Sequence, residues 1–162
     1  MKMKITTAKP ADLSQLMDIE RAGFTIAEAA TETAMKQRIE IIPDTFLVAR
    51  NDDQVLGFVN GPVIKPRYLT DDLFETVMPN QKFGGFQSVL GLAVDPKFRH
   101  QNIASQLLTE LSKIAKKNCR DGITLTCLTR LVGFYEQSGY INEGQSSSTH
   151  GGEIWHNMVK IF

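Results

Sequence analysis

Apolar and polar residues alternate over positions 3–8, the period of a short half-buried strand. The spacing then lengthens: Pro10 suits the first turn of a helix, and Leu13, Leu16, Met17 and Phe24 fall near one helical face. Thr31 is placed to cap a second helix reaching about Ile42, where Pro43 stops it. Strands are predicted over 45–50 and 54–64, joined by Asn51-Asp52-Asp53, a polar turn of hairpin length, which makes them an antiparallel pair. Positions 65–85 lose any period, with Pro66, Pro79 and Gly84-Gly85 as breakers and room for a short helix over 70–77. The apolar run 88–94 predicts a buried strand, and Ile103, Leu107, Leu108, Leu111, Ile114 and Ala115 mark the amphipathic helix after it. A strand over 122–127, a short helix over 131–138 ended by Gly139 in a left-handed cap, and a terminal hairpin whose last strand covers 153–161 complete the order. Strands interleaved with helices in this way predict an α/β (α+β) fold, a mixed sheet with helices on both faces.

The 162 residues, 42% of them hydrophobic, suffice for one domain spanning 1–162 with a substantial core. With 18 basic and 18 acidic residues the formal net charge is zero, so no overall field recommends nucleic acid or an acidic membrane, and a small-molecule partner fits better. Neither the opening Met1-Lys2-Met3-Lys4-Ile5 nor any later segment has the apolar length of a signal peptide or membrane span, which predicts a cytoplasmic protein, a monomer or homodimer. Cys119 and Cys127 are too far apart for a CxxC site, and His100, His150 and His156 form no helical pair, so no metal is expected.

Chemistry concentrates where the run ending at Val94 turns into a helix: Asp95-Pro96-Lys97-Phe98-Arg99-His100-Gln101-Asn102-Ile103-Ala104. A helix leaves the amide hydrogens of its first turn unpaired, and here they sit among Lys97, Arg99 and His100, an arrangement suited to an anionic, phosphate-bearing ligand. The pattern Arg99-x-x-Asn102-x-Ala104 resembles the Arg/Gln-x-x-Gly-x-Gly/Ala signature of the GCN5-related N-acetyltransferases. Asn102 stands where that family has glycine, and asparagine is among the few residues that adopt left-handed backbone at modest cost.

The resemblance extends over essentially the whole chain and is greatest to the arylalkylamine branch, which acetylates serotonin-like amines. Ile19-Glu20-Arg21-Ala22-Gly23-Phe24, Gly84-Gly85, Leu92-Ala93-Val94 and the stretch from Leu131 through Gly133-Phe134-Tyr135 to Tyr140 carry it. It implies a mostly antiparallel sheet of about seven strands with a splayed central pair. Leu92, Ala93 and Val94 would offer backbone to the pantetheine arm of acetyl-CoA, the acetyl donor, and residues 99–104 (Arg99, His100, Gln101, Asn102, Ile103, Ala104) would hold its pyrophosphate. Tyr135 would be the general acid beside the sulfur; by its own pattern it also reads as a core aromatic. The branch's two histidines fall at Ser88 and Leu90, neither of which accepts a proton usefully, leaving water, Glu20 or Glu75 as the route for the amine proton. Glu20 shares the helical stripe of Leu13, Leu16 and Met17, although a carboxylate near a helix end more often lies in solvent. For the acceptor, Phe24 matches a ring-packing position, and Ser88, Leu90, Thr126, His150 and Trp155 fall at or near other pocket positions, with Thr126 and His150 more polar than in the serotonin enzymes.

The resulting expectation is transfer of acetyl from acetyl-CoA to a primary amine of a small molecule, by direct attack in a ternary complex. Cys127, on a predicted buried strand, reads as an inert small hydrophobe and not as a covalent relay. The competing expectations are a CoA-binding module that has lost its chemistry, and a protein N-terminal acetyltransferase, which would show an open peptide groove instead of a pocket closed by residues 65–85.

Overall fold

The first helical stripe starts later than Pro10 suggests, because Pro10–Asp12 form a single 3-10 turn before helix α1 (Leu13–Gly23). Helix α2 (Glu32–Ile41) follows, with the Thr31 hydroxyl accepting from the Ala34 amide as its cap. The computed structural model describes residues 2–162, and Met1, the first residue of the expected domain span, lies outside the described residues. The strands are β1 (Lys4–Thr7), β2 (Phe46–Asn51), β3 (Gln54–Asn60), β4 (Val63–Ile64), β5 (Phe86–Val89), β6 (Gly91–Val94), β7 (Gly122–Leu128), β8 (Ile141–Gln145) and β9 (Trp155–Ile161). Helix α3 (Ile103–Lys117) stands between β6 and β7, and helix α4 (Val132–Gln137) between β7 and β8.

Both faces of the central strands are covered, as the alternation of β2 and β3 shows. Phe46, Val48, Val55 and Phe58 join Leu16, Met17, Met35 and Ile39 of α1 and α2 on one side. Leu47, Ala49, Leu56 and Val59 join Leu107, Leu108 and Leu111 of α3 on the other. Strands buried on both faces read as nearly continuous apolar runs, which is why these were legible as strands without a clean polar face.

Two predicted strands are each broken in two, so about seven become nine among the described residues. The expected strand over 54–64 ends at Asn60 and resumes as β4 in another sheet. At Gly61 the chain crosses so close to Ser88 that an added Cβ would collide with the Ser88 carbonyl oxygen, and Pro62 has no amide to continue a ladder. The expected strand over 88–94 begins at Phe86 and divides at Leu90. One sheet has the order β1-β2-β3-β6, antiparallel throughout, and the other β4-β5-β7-β9-β8, where only β5–β7 is parallel. The helix expected over 70–77 is a single 3-10 turn, Asp71–Phe74. No helix among the described residues is long and apolar enough to cross a membrane.

Candidate active site

The division at Leu90 opens the molecule. Strand β5 pairs with β7 from Phe86↔Gly122 to Val89↔Leu125, where the shared ladder ends. Beyond it β6 follows β3 in the first sheet, while Thr126, Cys127 and Leu128 stay with β9 in the second. The central pair is therefore splayed, and a cavity of about 650 Å³ lies on each side of the gap. Phe24, Leu92, Leu131 and Tyr135 line both cavities, so the two meet at these side chains.

The first cavity is bounded by β6 and the start of α3: Ala93, Val94, Arg99, His100, Asn102, Ile103 and Ala104 line it. His100 and Asn102 both have left-handed backbone, at φ 65° and φ 60°, so asparagine supplies the conformation expected of glycine. No side chain caps α3, and its first-turn amides open beside Arg99 and His100. Unpaired amides at a positive helix end beside a guanidinium fit an anionic group such as a diphosphate. Two expectations for the loop are corrected. Gln101 is exposed and does not line the cavity, since the turns at His100 and Asn102 project it outward. Lys97 lines a separate groove with Gln15 and Asp18, because the 3-10 turn at Pro96–Phe98 carries it to the far side.

Tyr135 of α4 stands at the junction, only 6% exposed. Its ring packs edge-on against Phe134 and Tyr140, with centroids 5.1 and 5.6 Å apart. Burial first, and then Cys127 and Tyr140, push its phenol well above the ordinary tyrosine range, so at neutral pH it holds its proton and can donate it. Cys127 is buried, which pushes its thiol up to about 11 and keeps it protonated, unlike a reactive thiolate.

The second cavity is assembled from segments far apart in sequence. Glu20, on the last turns of α1, is 4% exposed. Its Oε2 accepts from the Ala30 amide at 2.7 Å, while Oε1 is buried with no partner. Burial raises its pKa, offset in part by the Ala30 amide, Arg38 and His150. The solvated carboxylate expected from helix position is thus a desolvated one facing a cavity. Thr126, Leu90, His150 and Trp155 also line this cavity, as does Glu75. The His150 Nε2 lies 2.9 Å from the Glu28 carbonyl, which can only accept, so that nitrogen carries the proton. The imidazole also stacks on Phe74 at 4.7 Å, and its residue's carbonyl accepts from Trp155 Nε1 at 2.7 Å. Ser88 is corrected: it is wholly buried in the β5–β7 ladder, where its hydroxyl donates to the Pro62 carbonyl, and it lines neither cavity.

Sequence reasoning missed Arg38. It is fully buried in α2, donating to Asn60 Oδ1 at 3.4 Å and the Phe74 carbonyl at 3.0 Å, and burial pushes its pKa down to about 10. A lone arginine on a helix reads as solvated, and the only signal was its place on the same face as Met35 and Ile39. The segment that supplies Phe74 and Glu75 is itself fastened across the cavity: Arg67 and Tyr68 bond Glu143, and Asp71 accepts from the Ser148 hydroxyl and the Thr149 amide.

Solved structures share this architecture. Ard1 from Thermoplasma volcanium superposes with a TM-score of 0.77 at 17% identity, covering 99% of this chain and 98% of that one. The PaiA N-acetyltransferase from Thermoplasma acidophilum, solved in complex with coenzyme A, gives 0.73 at 20% identity over 100% of both chains. The loading GNATL domain of CurA from Lyngbya majuscula gives 0.82 at 12% identity over 99% of this chain and 98% of that one. A comparison with curated proteins found no match. A family model described as an acetyltransferase (GNAT) domain matches residues 43–142, the segment that carries β2 through α4, the splayed strands and the loop at Asn102, and the chain belongs to that family.

Proposed function

We propose that the protein transfers acetyl from acetyl-CoA to a primary amine of a small molecule, by direct attack in a ternary complex. The observation that carries this reading is the meeting of two cavities at Tyr135, one ending in an uncapped helix N-terminus and the other holding a desolvated carboxylate. The structure of the Thermoplasma acidophilum N-acetyltransferase with coenzyme A supports the assignment of the donor. In this reading the residues around Arg99, His100, Asn102, Ile103 and Ala104 hold the diphosphate, and Leu92, Ala93 and Val94 of β6 guide the pantetheine arm as an added strand would. Acetyl-CoA brings an activated thioester. Glu20 takes the proton that the attacking nitrogen sheds, its raised pKa making it a better base than an exposed carboxylate. Tyr135 gives its proton to the departing sulfur.

Three features favour a small acceptor over a protein N-terminus. Residues 67–75 are tied to Glu143, Ser148 and Thr149, Arg38 holds the Phe74 carbonyl, and Phe74 and Glu75 thereby wall the second cavity. Phe24, Phe74 and Trp155 in that wall offer apolar surface to the carbon skeleton of the amine, whether an aryl ring, as in the arylalkylamine branch, or a run of methylenes. The whole chain acts as one catalytic unit in this proposal, in the cytoplasm and as a monomer or homodimer; both cysteines are free thiols.

Acetyl-CoA-dependent thiol release, followed with aryl and aliphatic amines and with short peptides, tests the proposal. Turnover on small amines is expected. Tight acetyl-CoA binding without turnover on any acceptor would leave a CoA-binding module, and turnover confined to peptides would make the protein an N-terminal acetyltransferase.

A further inference from the structure

The charges around the second cavity are unequal. Glu20, Glu28, Asp71 and Glu75 face it against one guanidinium, Arg38. Two of these carboxylates, Glu20 and Glu28, each keep one buried oxygen without a partner, whereas Glu75 is exposed. Asp71 is engaged by Ser148 and Thr149. Glu28 uses Oε1 to accept from the amide and hydroxyl of Thr25, at 3.2 and 2.8 Å, while its Oε2 is buried without a partner. Glu20, 4% exposed, has the same unfinished state at Oε1. The nearby cations do not fill these positions: Arg38 donates to Asn60 and Phe74, and the protonated nitrogen of His150 is spent on the Glu28 carbonyl. Ala27, Ala29 and Ala30, which flank Glu28 in the chain, line the same cavity and add small apolar surface that an aliphatic chain can cover.

One free carboxylate is what a base requires. Two, in a cavity with surplus negative charge, ask for two nitrogens, because a desolvated carboxylate oxygen is relieved best by an ammonium. We propose that the acceptor is a diamine or longer polyamine, whose reacting nitrogen comes to Glu20 while its distal ammonium pairs with Glu28. This rests on the acetyl-transfer reading above and names its substrate class. In the transfer, the nitrogen lone pair forms the C–N bond and the C–S bond breaks with its electrons on sulfur. The nitrogen's proton passes to Glu20 and Tyr135 protonates the thiolate, giving an N-acetylated amine and CoA thiol. The distal ammonium gains and loses no bond. An aryl monoamine would leave Glu28 Oε2 unpaired.

The test compares 1,5-diaminopentane, pentylamine and phenethylamine as acceptors in wild type and in Glu28→Gln, a change that keeps an acceptor oxygen for Thr25 and removes the charge. The diamine should exceed both monoamines in kcat/KM by about tenfold at low ionic strength, through KM, and the gap should narrow as salt screens the pair. Glu28→Gln should bring the ratio toward one. Equal use of the three amines, preference for phenethylamine, or a ratio unmoved by a folded Glu28→Gln variant would overturn the proposal while leaving acetyl transfer intact. Should the variant not fold, the salt dependence of the wild-type ratio decides. If no amine is acetylated, the transfer reading fails, and calorimetric titration of 1,5-diaminopentane into the protein with CoA decides separately: binding weakened by Glu28→Gln sustains a diamine site, and no binding overturns it.

Discussion

The two cavities that meet at Tyr135 are built on opposite plans. The side proposed for the donor draws its anion-facing groups mainly from one contiguous stretch, β6 through the start of α3, where the helix amides belong to the backbone and persist through most substitutions. Phe24, Arg130, Leu131 and Tyr135 close the cavity. The acceptor side is gathered from α1, α2, the 71–75 turn and the 150 region, and its polar groups are buried side chains held by long-range bonds. Backbone geometry is insensitive to side-chain identity, whereas desolvated charges respond to each neighbour. The donor side should therefore tolerate substitution that the acceptor side does not, and the residue at the junction should be the least tolerant of all.

Tyr135→Phe is the largest break: loss of the phenolic proton should lower kcat by roughly 10²–10⁴-fold with acetyl-CoA affinity nearly unchanged, as equilibrium titration would show. A fall in both together would mean that the ring serves only packing. Glu20→Gln comes next, with kcat/KM lower by about 10²-fold. Because burial raises the Glu20 pKa, the ionised base is lost as pH falls through a value above the ordinary carboxylate range, so the acid limb of the wild-type profile should sit at correspondingly higher pH. The variant should lack that limb, and superimposable profiles would exclude Glu20 as the base.

Arg38→Met removes a buried cation whose absence leaves Glu20 without its favourable charge and the Asn60 and Phe74 oxygens without a donor, an expected loss of about 2 kcal/mol of stability in urea unfolding. The same change should raise the Glu20 pKa further and move the acid limb to still higher pH. On the donor side, Asn102→Val forces a β-branched residue into φ 60° and should weaken acetyl-CoA binding about tenfold, whereas Asn102→Gly should keep it, with stability changed by less than about 1 kcal/mol. Loss of binding in Asn102→Gly would show that the asparagine side chain, and not its backbone, holds the donor. Arg67→Ala, at the exposed Glu143 latch, should leave Tm unmoved and affect at most acceptor KM.

The same contrast explains what could be read from the sequence. The Thr31 cap, the amphipathic face of α3 and the turn at Asn102 are local signals, written within one helix or one turn, and the structure has each of them. The left-handed Asn102 was legible because only a few residue types adopt that backbone. The breaks at Gly61 and Leu90 were not: both lie inside apolar runs, and what divides them is the crossing of Gly61 over Ser88, a contact between residues far apart in the chain. Ser88 was misassigned to the acceptor pocket for the same reason, since its partner Pro62 follows that crossing. Glu20 was found from its helical stripe, but its burial depends on Ala30 and Arg38, and Arg38 itself carried no local mark that its guanidinium reaches Asn60 and Phe74.

The central claim is that donor and acceptor meet at Tyr135 through the gap between β6 and β7. A crystal structure of the protein grown with CoA tests it most directly. The diphosphate should rest against the amides at the start of α3, the pantetheine arm should run along Leu92–Val94, and the sulfur should lie within hydrogen-bond reach of the Tyr135 hydroxyl. CoA bound elsewhere, or in the gap with its sulfur far from Tyr135, would contradict the account.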